Sequence, residues 1–180
     1  MSSTEHIIEQ TKKWISDVVI GCQFCPFAAR EMRNNSIHYE VNEASDANEC
    51  LNAFLEECDR LDKNPGVETT LLILSNAVKG FEEYLDVLHS AEKLLRKQGY
   101  EGVYQIASFH PEYRFADSAT EDPADYTNRS PHPMLQILRE ESVEKALKMY
   151  PNPELIPERN VAFAREKGIV FMKMLREKCI

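Results

Sequence analysis

Two short runs carry most of the side chains that could do chemistry. In the first, Pro111 separates His110 from Glu112, and Tyr113 follows. An imidazole titrates near neutral pH, and a neighbouring carboxylate can orient it and raise its pKa. Alternate residues of an extended segment face the same side, and Pro111 limits the backbone between them. His110 with Glu112 is therefore read as a general acid/base pair, with Tyr113 as a hydrogen-bond donor to substrate. The alternative is a histidine that caps a strand end and bonds to backbone, beside a tyrosine that packs.

The second run is Asn128-Arg129-Ser130, with Pro131 and Pro133 after it. If a helix starts there, free amides, a guanidinium and a hydroxyl together make a place for a carboxylate or phosphate. The alternative is that Ser130 caps the helix while Arg129 forms an ion pair with Asp125 or Glu112.

Cys25 is the third candidate, as a nucleophile. Pro26 as a first helical residue would put Cys25 at an N-cap, where a thiolate is favoured, and His110 would have to lie within reach as its base. Cys22-x-x-Cys25 also has the spacing of a redox pair or half a zinc site. A closed zinc site needs four ligands, and no second pair of cysteines or histidines with such spacing exists. Packing of Cys22 and Cys25 with Phe24 and Phe27 is the other reading. No metal centre is expected, and no nucleotide cofactor either, since a glycine-rich phosphate loop is missing.

These residues need a scaffold, and the patterning of the chain supplies one. Apolar residues at helical spacing predict helices over residues 4–20, from Ser45 or Asp46 to about 61, over 81–99, over 133–148 and over 157–178. Ile37, Tyr39 and Val41 alternate with polar residues, whereas 69–74 is almost continuously apolar and 103–109 nearly so, which predicts three strands. The expected fold is a single α/β domain over residues 1–180. Its small, mostly parallel three-stranded sheet is flanked by helices, with extra helices at both termini. Ligands of such sheets bind beyond the carboxyl ends of the strands, which is where residues 108–112 fall.

The 180 residues carry a net charge of −9, which disfavours nucleic acid and anionic membrane surfaces as partners. The longest apolar runs fall well short of a membrane span, and residues 1–13 lack the apolar core of a secretory signal, so a cytoplasmic protein is expected. In that compartment the five cysteines are expected to be thiols.

Several motifs occur in a specific order: Cys25-Pro26-Phe27-Ala28, Thr69-Thr70-Leu71-Leu72, Phe109-His110-Pro111-Glu112-Tyr113, Tyr126-Thr127-Asn128-Arg129-Ser130-Pro131, Leu138-Arg139-Glu140 and Ile156-Pro157. Through them nearly the whole chain resembles a family of small bacterial proteins known as domain of unknown function 1415. The resemblance implies no particular reaction, but it ranks residues. The family's single cysteine before Pro-Phe-Ala corresponds to Cys25. Cys22 stands where a leucine-like residue is common, His132 where tyrosine is usual and Gln136 where histidine is usual.

Together these features point to an enzyme acting on an anionic small molecule, with His110, Glu112 and Cys25 catalytic and Tyr113, Asn128, Arg129 and Ser130 binding substrate. The alternative is a module that binds a metal or metabolite without turnover, using Cys22, Cys25, His110 and Glu112. Substrate and oligomeric state are not encoded in any motif.

Overall fold

A computed structural model describes residues 3–78 and 80–180. The chain runs through α1 (Ser3–Trp14), a π-helical continuation (Ile15–Ile20), α2 (Ala28–Asn34), β1 (Ile37–Asn42), α3 (Ala47–Lys63), β2 (Thr69–Leu74) and α4 (Phe81–Lys97). There follow β3 (Tyr104–Phe109), a 3-10 turn (Pro123–Thr127), β4 (Met134–Arg139), α5 (Glu140–Lys148), a second 3-10 turn (Pro153–Leu155), α6 (Ile156–Lys167) and α7 (Ile169–Glu177). Among the described residues, no helix is long and apolar enough to cross a membrane.

The fold is α/β, and among the described residues its one mixed sheet has four strands in the order β1-β2-β4-β3. β1 pairs parallel with β2, while β4 runs antiparallel to both β2 and β3. The three expected strands thus point the same way, but a fourth lies between two of them. This corrects the expected helix over 133–148, whose first part is β4. In Met134-Leu135-Gln136-Ile137-Leu138-Arg139 the apolar residues suit either period. With neighbours on both edges, Leu135 and Ile137 bury on one face of the sheet and Met134 on the other. The helix proper starts at Glu140. The expected C-terminal helix is likewise two, broken at Gly168, whose φ of +80° suits a residue without a Cβ.

One face of the sheet is covered by α3 and α4. Phe54, Cys58 and Leu61 of α3 and Tyr84, Leu88, Ala91 and Leu95 of α4 pack on Leu72, Leu74, Leu135, Ile137 and Tyr104. Asp46 is the cap of α3: its Oδ1 accepts from the Asn48 and Glu49 amides at 2.8 and 3.1 Å. The other face is covered by α1 with its π-helical end, and by α6 and α7, through Trp14, Ile15, Val18, Ala164 and Met172 against Leu71, Ile73 and Met134.

The route from α1 to α2 depends on Gly21. A Cβ there would meet the Asp17 carbonyl oxygen at 2.3 Å, so the chain can close this turn only with glycine. The turn delivers residues 22–27 onto the edge of the second layer.

Candidate functional site

The connection from β3 to β4 folds back on itself and is held by its own polar groups. His110, at the end of β3, is 4% exposed. Its ring lies against Phe81 and Tyr84 at centroid distances of 5.3 and 5.0 Å. The Glu112 amide donates to its Nδ1 at 3.0 Å, which places the ring proton on Nε2. Burial lowers the His110 pKa to about 4, against an upward pull from Glu112, with Arg176 adding to the decrease. At neutral pH the ring is uncharged. The expected effect of the carboxylate, a raised pKa, is overridden by burial. Glu112 itself is exposed and meets His110 through its backbone, not its side chain.

Asn128-Arg129-Ser130 leads into β4 and not into a helix, so the expected cluster of helix-start amides does not form. Asn128 ties the two ends of the loop together. Its Nδ2 donates to the Ser108 carbonyl at 3.1 Å, and its own carbonyl accepts from the His110 amide at 3.3 Å. Ser130 is fully buried and donates to the His132 carbonyl at 2.6 Å. Arg129 donates from Nε to the Tyr113 carbonyl at 2.9 Å and stands 3.6 Å from Asp125 Oδ2. Its guanidinium covers the Tyr126 ring at 4.5 Å. Asp125 is wholly buried, and its Oδ1 accepts from the Phe115 amide at 3.1 Å. The Tyr113 ring packs between Phe81 and Phe115. Arg176 of α7 donates to the Ser130 carbonyl, and Arg165 of α6 grips Asp122, so the loop is also tied to the last two helices.

A cavity lies elsewhere, on the α1 face of the sheet. It measures about 290 Å³ and is walled by Trp14, Cys25, Phe27, Thr69, Phe109 and Gln136, among others. Cys25 reaches it from the segment before α2. The cap of α2 is Phe27, so Cys25 stands two residues before the cap and not at it. His110, Glu112, Tyr113, Asn128, Arg129 and Ser130 are not part of this wall, nor is Cys22. Cys25 thus shares this cavity's wall with Phe109 but not with the two polar runs.

The wall is apolar with a few polar groups. Gln136 donates to Thr69 Oγ1 at 3.1 Å, and Thr69 in turn donates to the Ile137 carbonyl at 2.8 Å. Trp14 is 1% exposed, and its indole N–H has no hydrogen-bond partner among the described residues. A smaller hollow adjoins, sharing Phe27, Arg30 and Ala146 with the cavity.

The sequence pattern described as "Protein of unknown function (DUF1415)" matches residues 6–174. The chain belongs to this family. No curated protein and no solved structure matches it.

Some members of this DUF1415 chain's wall escape sequence reading. Thr69 and Gln105 are polar residues in strands, which is a weak signal for a ligand-facing position. Gln136 falls in the segment read as a helix. Trp14 looks like any aromatic on an amphipathic helix. A second group that sequence reading passes over is His38, Glu40 and Glu57, whose ligand atoms all lie within 4.8 Å of one another and could hold a metal ion.

Proposed function

We propose that the chain binds a small metabolite with a largely apolar body in the cavity beside Cys25. The carrying observation is that cavity of about 290 Å³, close to the lower end for small-molecule sites and lined by aromatic and aliphatic side chains with a few polar groups. The unpartnered indole N–H of Trp14 supports a ligand that brings a hydrogen-bond acceptor, because a buried donor left unmade costs about 1–3 kcal/mol. Arg30 on the shared rim is already paired with Glu31 at 2.6 Å, and Glu31 and Glu68 line the same wall, so the cavity favours a ligand without an anionic end.

This is the metabolite-binding reading, set at a different place from the His110 loop. An acid/base enzyme using His110, Glu112 and Arg129 on an anionic substrate has weaker support. Arg129 is engaged by Tyr113 and Asp125, and His110 is buried and uncharged. One observation favours turnover within the cavity itself: Cys25 is the thiol on its wall. A nucleophilic Cys25 would need a base other than His110.

Native mass spectrometry of the purified protein, followed by intrinsic fluorescence titration, tests the reading. The chain has one tryptophan, and it is Trp14, so its emission reports on the cavity directly. A bound or added ligand should shift that emission and should be excluded by Ala107→Phe, which fills the cavity from β3. Ligands that bind wild type and Ala107→Phe equally would place binding elsewhere.

A further inference from the structure

On the α3 side of the sheet, away from the cavity, three side chains converge at the edge strand. His38 and Glu40 are alternate residues of β1 and project from one face. Glu57 descends onto them from α3 and is 2% exposed. His38 Nε2 stands 3.4 Å from Glu40 Oε2 and 3.7 Å from Glu57 Oε2. Donors placed about 2.1 Å from a tetrahedral divalent ion are about 3.4 Å apart; the two separations from His38 fall near that value, the shorter being a hydrogen bond to Glu40, and all three ligand atoms lie within 4.8 Å of one another.

We infer that His38, Glu40 and Glu57 form a binding site for a divalent transition-metal cation of the zinc and manganese class, with water completing the coordination. Imidazole with carboxylates suits that class, and the half-exposed edge of β1 leaves room for water. The site has the outer contact that such ligands need: Thr70 Oγ1 donates to Glu57 Oε2 at 2.7 Å and fixes the carboxylate.

Arg60 already engages both carboxylates. Its Nε donates to both Glu57 oxygens at 3.0 and 3.1 Å, and its Nη2 lies 3.7 Å from Glu40. One guanidinium against two carboxylates leaves a net negative charge facing His38. A buried carboxylate without a cation is costly, so Arg60 holds the place in the absence of metal. Its side chain is 40% exposed and can swing into solvent when a dication arrives. Arg60 is therefore a competitor of the metal and not a ligand.

Calorimetric titration of the chelator-stripped full chain with Zn²⁺, and optical titration with Co²⁺, test the site. One equivalent should bind. His38→Ala, a change at the sheet edge, should weaken it at least tenfold with an unchanged circular dichroism spectrum, and Glu57→Gln should do the same. Arg60→Ala should bind as tightly or more tightly. Cys22→Ser with Cys25→Ser should change nothing, and bound Co²⁺ should show no thiolate charge-transfer band. No binding, equal affinity in His38→Ala, weaker binding in Arg60→Ala, or a thiolate band lost with the cysteines would each overturn the assignment.

Discussion

The Glu112 amide donates to Nδ1 of His110, and this bond turns the most reactive-looking side chain of the loop into part of its frame. A buried ring that accepts from backbone gains from being neutral. It loses that contact when protonated at Nδ1.

Stability should therefore fall in acid. The folded pKa of His110, about 4, lies below the ordinary value of 6.5 that applies when the chain is unfolded. The contribution is complete above about pH 6.5 and is lost as pH falls toward 4; at most it is about 3 kcal/mol. Burial lowers the His132 pKa too, with the same sign. Urea denaturation at pH 7.5 and pH 5 should show the loss, and His110→Phe should reduce it. An equal loss in His110→Phe would contradict the assignment to this residue.

Arg129→Met should destabilise the fold by about 3–5 kcal/mol, since it leaves Asp125 buried without its cation. Adding Asp125→Asn should recover part of that loss. The comparison requires chemical denaturation of the two single variants and the double variant.

Tyr84 links the ends of two strands. Its hydroxyl donates to the Met134 carbonyl at 2.9 Å and accepts from the Phe109 amide at 3.0 Å. Tyr84→Phe keeps the packing but strands both backbone groups, so a cost of about 1–3 kcal/mol is expected in thermal or urea melts.

The thiols should separate by reactivity. Burial pushes Cys50 up to about 11 and Cys58 up to about 12, and both are closed to solvent. Cys25 is half-buried on the cavity wall. Mass-mapped alkylation at pH 7.5 should mark Cys25 long before Cys50 or Cys58, which should react only on unfolding. A ligand seated in the cavity should slow the Cys25 reaction selectively.

Much of the scaffold is legible along the chain. Thr69–Leu74 reads as a strand buried on both faces because every one of its residues is apolar or small, and in the fold all six are buried. Helices α3 and α4 show their buried faces at helical spacing. β4 does not, because Leu135, Ile137 and Leu138 satisfy two periods at once. With it goes the helix start expected at Asn128-Arg129-Ser130, on which both the anion site and the alternative cap at Ser130 depended.

The sequence by itself determined the elements with unambiguous periods and the membership of Cys25, His110 and Arg129 in recognisable motifs. These follow from local sterics and from which residues must leave water. Tertiary structure alone decided what those motif residues face. The insertion of β4 between β2 and β3 buried the His110 loop against α4 and the last two helices, and it put Gln136 within hydrogen-bond reach of Thr69 on the cavity wall that Cys25 also lines. Contacts between residues far apart in the chain depend on strand order and on which face each layer covers, and no local spacing encodes that.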